Sequence, residues 1–193
     1  MDEAMHFLHV VGALGLTAAF GVEAAGLAGL RRATGAEEAL LWLQSRRWVL
    51  LIGPASIGLV LATGIYLTVA EWGADAWILV SLVSLVALAS IGGVLTGVPM
   101  ARLTPAVERA AGPLSQELRR GLRSPLLTVS IMTRIAITVG IVFLMVRKPA
   151  LLASLLTIVL AAAVGVAAGL VFGIRKPSAS AIDTATPPTD AKR

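Results

Sequence analysis

The sequence contains no cysteine, which excludes disulfides, thiolate catalysis, iron–sulfur clusters and zinc sites built on cysteine. Charge is also scarce: 14% of the residues are charged, whereas about a quarter are charged in a typical soluble domain. In their place, 57% of the residues are hydrophobic and the mean hydropathy is +0.88. This composition is typical of an integral membrane protein.

Five apolar runs are long enough to cross ~30 Å of hydrocarbon, which takes about 20 helical residues. A helix satisfies its backbone polar groups within the segment, and the alternating pattern of a barrel strand is absent from the sequence. The sequence therefore predicts an all-α fold, a polytopic transmembrane helical bundle of five spans with a four-helix core plus one. The bundle occupies residues 1–176, and the Pro, Ser and Thr of residues 177–193 predict a disordered cytoplasmic tail. The predicted spans are 5–29, 48–70, 77–98, 125–146 and 150–174.

The basic residues are distributed unevenly among the connections. Connections 30–47 and 99–124, together with residues 175–193, contain 13 lysines and arginines, whereas the turn at Arg147 and Lys148 contains two. The positive-inside rule then predicts that the N-terminus is outside and the C-terminus is cytoplasmic. Trp77 falls at the outer interface, where aromatic residues form a belt. Because topology accounts for the basic residues, we expect them to face solvent or anionic lipid, with no nucleic acid as partner.

Arg134 lies inside the fourth apolar run, where a charge costs about 2.5–3.5 kcal/mol on insertion scales. Glu23 in the first span lies ~9 Å from the cytoplasmic end of its helix, and Arg134 lies ~13 Å from the same side. In antiparallel helices the two side chains lean toward each other. The sequence therefore predicts a Glu23–Arg134 ion pair. It could clasp two helices, or Arg134 could anchor an anionic group such as a haem propionate.

His6 and His9 are the only histidines, and their spacing of three places both on one helical face near the outer boundary. Two ligands from one helix cannot bind opposite sides of one haem, so the second axial ligand would come from another helix, with Met145 at a similar depth, or from a second protomer. Alternatively, both histidines would bind copper, or would simply contact water and headgroups. The acids available to a copper site are Asp2, Glu3, Glu71 and Asp75.

Glycines in the fifth span follow a four-residue spacing, with Gly165, Gly169 and Gly173 on one helical face. Such spacing is typical of membrane helices whose backbones approach closely. Packing within the chain is one interpretation. A homodimer through this face is the other.

Three stretches resemble a group of small bacterial integral membrane proteins of unknown function. They are "HFLHVVGALGLTAAFGVEAAGL", "GPASIGLVLATGIYLTV" and "WILVSLVSLVALASIGGVLTGVPMARL", within roughly the first hundred residues. The early histidine followed by small residues is distantly similar to the copper resistance protein D and membrane protoporphyrinogen oxidase families. This resemblance implies a helical bundle in the bacterial inner membrane, with His9 where those relatives use a histidine for haem or copper. The chain differs from the oxidases in having no lysine in span three and no histidine on a second helix.

Three kinds of function are compatible with these features. The first is a haem- or copper-handling membrane protein, with haem b or copper held by His9 and His6, and with Arg134 as an anion anchor. The second is a non-catalytic scaffold or complex subunit. The third is a small permease with Glu23 and Arg134 along its path. Hydrolysis and group transfer have no support, because the sequence contains no nucleophile–base constellation and no phosphate-binding loop.

Overall fold

The computed structural model describes residues 2–73 and 75–174, and this part of the chain is almost entirely helical. Two π-helical turns interrupt the helices: π1 follows α2, and π2 joins α3 to α4. The elements are α1 (Asp2–Arg32), α2 (Ala36–Leu67), π1 (Thr68–Trp72), α3 (Ala76–Ile91), π2 (Gly92–Gly97), α4 (Val98–Glu108), α5 (Gln116–Leu122), α6 (Pro125–Arg147) and α7 (Leu151–Ile174).

Five helical segments are long and apolar enough to cross a membrane, so the predicted all-α transmembrane bundle is confirmed. Large apolar side chains remain exposed around the bundle, as expected for a surface that faces lipid. Several helices continue beyond the predicted spans. Helix α2 begins at Ala36 instead of near residue 48, because "AEEALLWLQSRR" consists of good helix formers and Glu37 and Glu38 favour the positive end of the helix dipole.

The bundle is built on two helical hairpins, α1 with α2 and α6 with α7, and α6 also contacts α1 and α3. The described part of the chain therefore has two ends. The histidine end contains the start of α1, π1, the start of α3 and the turn between α6 and α7. The basic end contains the end of α1, the start of α2, α5, the start of α6 and the end of α7.

Two connections at the basic end hydrogen-bond to each other. The Ala36 amide donates to Gly112 O at 2.9 Å, and the Leu114 amide donates to Thr34 O at 3.0 Å. Gly112 has a φ of +74°, a conformation that glycine adopts without steric cost. These bonds tie the α1–α2 connection to the segment that leads into α5.

The glycine face of α7 is buried against α6, which is the packing interpretation of the two offered by the sequence. A Cβ built on Gly165 would lie 2.5 Å from the Thr133 Cα. Since α6 covers this face, a homodimer through it would require α6 to leave. The neighbours of the other two glycines are Val129 for Gly169 and Pro125 for Gly173.

Candidate functional site

Glu23 and Arg134 form an ion pair between α1 and α6. The Arg134 Nη2 lies 2.5 Å from Glu23 Oε1, and the side chains are 7% and 13% exposed respectively. The sequence predicted this pair from the depth and lean of the two residues. Each charge is thereby compensated inside an otherwise apolar bundle, where an unpaired charge would be costly.

Other groups enclose the Arg134 guanidinium on its remaining sides. Its Nε and Nη2 make long hydrogen bonds of 3.4 Å to Ser130 O and Thr96 Oγ1, and the Thr96 hydroxyl donates to Ser130 Oγ at 2.8 Å. The Phe20 ring centroid lies 5.2 Å from the guanidinium carbon, within range of a cation–π contact. The π2 turn brings Gly92 close, and a Cβ there would lie 2.9 Å from Nη1. The guanidinium is therefore surrounded by its own chain.

A separate cavity of approximately 320 Å³ opens at the histidine end among α1, α2, π1, α3 and α6. Its size is at the lower limit of ligand pockets, which span about 300–1,000 Å³. His6, His9 and Met145 all line it, so the structure places the two histidines in one cavity with the methionine that the sequence offered as a second haem ligand. Arg134 does not line it, which separates the predicted anion anchor from the predicted haem or copper ligands.

Most hydroxyl groups in the cavity lining are bonded to their own helices. The hydroxyls of Thr17, Thr68, Ser81 and Thr138 each donate to a backbone carbonyl one turn earlier, over 2.7–2.9 Å. The rest of the lining is mostly aliphatic. The two imidazoles are therefore the main polar groups with which a ligand in this cavity could interact.

The hydrogen bonds around His9 assign its tautomer. Its Nδ1 lies 2.9 Å from Thr63 Oγ1, while the Thr63 hydroxyl lies 2.6 Å from Leu59 O. A carbonyl can only accept, so the single Thr63 proton points to Leu59 O and the oxygen accepts from His9. Nδ1 therefore carries the proton of the neutral ring, and Nε2 has an unprotonated lone pair. That is the arrangement by which proteins orient a histidine toward a metal or a donor group.

His6 has a different environment at the outer edge of the cavity. Its Nε2 lies 3.4 Å from Glu71 Oε2, so one of the acids named for a copper site does lie beside a histidine. Among the residues that the structure describes, no three His, Cys, Asp or Glu side chains form a group that could hold a metal. The Asp2 side chain lies outside the described part. The predicted copper set is thus assembled only in part.

Trp77 lines the cavity and is 5% exposed, so its predicted place in a lipid-facing aromatic belt is wrong. The Lys148 ammonium lies 5.7 Å from the Trp77 ring centroid, in the turn between α6 and α7. Sequence reasoning missed Trp77, Thr63 and Gly64 as parts of the site. Thr63 could not be recognised from the sequence, because its hydrogen-bond partner, His9, is on another helix.

The comparisons with known proteins add no relative. No protein-family model matches the chain, and neither the curated proteins nor the solved structures include one that is significantly similar to it.

Proposed function

We propose that the chain is an integral protein of a bacterial inner membrane that binds haem b in the cavity at the histidine end. The observation that carries this proposal is the His9–Thr63 hydrogen bond, which leaves Nε2 as a lone-pair donor on an imidazole that lines an apolar cavity. Iron in haem is commonly held by such a nitrogen. The Thr63 oxygen acts as the outer partner that fixes the ring.

Met145 supplies a candidate second ligand from a different helix. It lies on α6 and lines the same cavity as His9 on α1, so the two residues approach the cavity from separate elements. If haem were bound, His9 and Met145 would hold its iron, and a methionine ligand would raise the reduction potential. When bound, haem would supply one-electron redox chemistry, while the protein orients it and excludes water.

Lys148 supplies a positive charge beside the cavity. Its ammonium stacks on Trp77, whose side chain lines the cavity, and it lies at the end of a span where the propionates of an amphipathic ring would reach the interface. Carboxylates favour such a cation. The combination of an imidazole, a thioether and a flanking ammonium fits haem better than it fits a purely aliphatic ligand.

The proposed orientation places the histidine end outside and the basic end in the cytoplasm. Arg31, Arg119, Arg120 and Arg123 gather at the basic end, whereas Glu71 and the histidines lie at the other. This division agrees with the positive-inside rule. A reporter fused to each terminus tests it, and a cytoplasmic N-terminus would contradict it.

The visible spectrum of detergent-purified protein, oxidised and reduced, tests the proposed cofactor. Protein expressed with ample haem should show a Soret band, which His9→Ala should abolish. His6→Ala is the matched control and should retain the band, while Met145→Leu should retain haem with an altered spectrum. A colourless preparation would overturn the proposal. A preparation that is both colourless and free of metal would favour the scaffold or the permease, which a flux assay in proteoliposomes would separate.

Copper is the second candidate, favoured by the 3.4 Å approach of His6 to Glu71 at the edge of the same cavity. Imidazole nitrogens and a thioether suit copper in its two oxidation states. Metal analysis of a sample that shows no Soret band tests this candidate. Copper lost in both His6→Ala and His9→Ala would establish it, whereas haem requires only His9.

A further inference from the structure

Helix α5 presents a basic face away from the bundle. Its N-cap Ser115 accepts a hydrogen bond from the Leu118 amide at 3.2 Å, and Leu118 and Leu122 are buried beneath it. The opposite face carries residues spaced by three and four positions, which share one side of a helix. These residues are Gln116, Arg119, Arg120 and Arg123.

The same four residues line a pocket of approximately 420 Å³ that Ser124 and Pro125 complete at the start of α6. The neighbouring acid, Glu117, is not part of the lining. Within residues 2–73 and 75–174, the salt bridges join other residues, so no carboxylate of this part lies within 4.0 Å of the three guanidinium groups. The pocket is therefore an open, positively charged depression.

A fourth arginine is fixed at the side of this pocket by backbone groups instead of by an acid. Arg31 donates to Arg123 O at 3.2 Å and to Gly173 O at 2.7 Å, and Arg123 Nε donates back to Arg31 O at 2.9 Å. Thr128 Oγ1 accepts from Arg31 at 3.0 Å. Two like charges are thus held together where three helices end. An anion at this place would relieve their repulsion.

We propose that this pocket binds the phosphodiester headgroup of an anionic phospholipid. The planar guanidinium group of arginine can donate two hydrogen bonds to the oxygens of one phosphate. Several arginines together bind a phosphate more tightly than a single exposed ion pair would. The pocket lies at the end of the spans, at the level of lipid headgroups. Beside it, Leu126 and Ile174 are 44% and 74% exposed and offer an apolar surface for the acyl chains. A free phosphate ion would use the arginines without this surface.

Titration of detergent-solubilised protein with phosphatidylglycerol, phosphatidylcholine or inorganic phosphate tests the proposal, with binding followed by native mass spectrometry. Phosphatidylglycerol should bind more tightly than phosphatidylcholine and inorganic phosphate. Arg119→Gln with Arg120→Gln should weaken phosphatidylglycerol binding about 30-fold, as expected for two arginines near an anionic headgroup. The Arg119 and Arg120 side chains, unlike those of Arg31 and Arg123, make no hydrogen bond to the backbone in the described part, so this variant should fold. An unchanged circular dichroism spectrum would verify that.

The matched control is Arg102→Gln with Arg109→Gln, which removes two exposed charges outside the pocket, one in α4 and one directly after it. It should keep phosphatidylglycerol binding within about twofold of the original chain. Equal losses in both variants would show general surface attraction and overturn the site. Inorganic phosphate binding as tightly as the lipid would also overturn it, because the acyl surface would then contribute nothing.

Discussion

Helices α1 and α6 contribute to two polar places that differ in how completely their polar groups are used. In the Arg134 cluster, Glu23, Thr96, Ser130 and Phe20 enclose the charge on all sides. At the histidine end, His9 hydrogen-bonds through Nδ1 to Thr63 and lines a cavity. The contact between α1 and α6 therefore leaves no space around Arg134, whereas the same two helices border a cavity beside His9. This difference agrees with the function proposed for the cavity, and it leaves a packing role for the enclosed ion pair.

Glycines contribute to both places in opposite ways. In the Arg134 cluster, Gly92 in π2 lets the α3–α4 segment approach the guanidinium, so that no space is left. At the histidine end, a Cβ on Gly64 would lie 3.3 Å from His9 Cε1, so glycine at this position avoids a close contact with the imidazole ring. π-helical turns of this kind recur at functional sites, because they re-aim the residues around them.

Removing one member of the Glu23–Arg134 ion pair should produce the largest effect, a loss of stability. Arg134→Met leaves the Glu23 carboxylate buried without its cation, and Glu23→Gln leaves the guanidinium without its anion. Each variant should lower the free energy of unfolding by about 3–5 kcal/mol. Thermal unfolding in detergent measures this loss.

The double variant Glu23→Gln with Arg134→Met separates a clasp from a transport element. Since neither charge then remains, it should recover most of the stability lost in either single variant. Its haem content should equal that of the original chain, because neither residue lines the cavity. A double variant less stable than both single variants would contradict the clasp.

Disturbing the contact between π2 and Arg134 should produce the next largest effect. Gly92→Ala places a Cβ 2.9 Å from Arg134 Nη1 and should cost about 1–3 kcal/mol, because the packed guanidinium must shift. Gly93→Ala is the matched control in the same turn, since a Cβ there meets nothing within 4 Å. It should be neutral or slightly stabilising. Equal unfolding temperatures for the two variants would show that π2 does not close the cluster.

The fold could be predicted from the sequence because each span had to satisfy its backbone alone, so length and hydropathy were sufficient. The ion pair followed in the same way, since Arg134 needed a partner and Glu23 was the buried acid available. The ends of the helices were harder to predict from the sequence. The N-terminal part of α2 is charged, and a hydropathy argument stops where the membrane does, although the helix continues from Ala36.

The cavity could not be predicted from the sequence, because it depends on how five elements pack. Trp77 illustrates the difficulty: a tryptophan at the start of a span is typical of an interfacial belt, yet here it turns inward beneath Lys148. Thr63 similarly looks like any threonine of an apolar helix. Its role follows only from the 2.9 Å approach of His9 on another helix.

Removing the hydrogen bond that fixes the His9 tautomer should weaken ligand binding more than it lowers the stability of the fold. Thr63→Val removes the oxygen that accepts from His9 Nδ1, so the ring loses the partner that holds it and fixes its proton. Haem affinity should fall about 10–100-fold, the usual effect of losing such an outer partner. Thr17→Val is the matched control, because Thr17 lines the cavity but donates to Ala13 O. Haem titration followed at the Soret band should separate the two, and equal affinities would remove Thr63 from the site.

The smallest effect should come from the charge at the mouth of the cavity. Lys148 has a φ of +46°, and asparagine tolerates this left-handed conformation, so Lys148→Asn removes the cation with little backbone strain. Affinity for haem should fall up to about fivefold, as expected for one exposed ion pair, and the loss should shrink as salt is added. The dimethyl ester of haem, which has no carboxylates, should bind both chains equally. Arg147→Gln controls for net charge at the same turn. If it weakens haem binding as much as Lys148→Asn does, the attraction is diffuse and the cavity has no specific contact for the propionates.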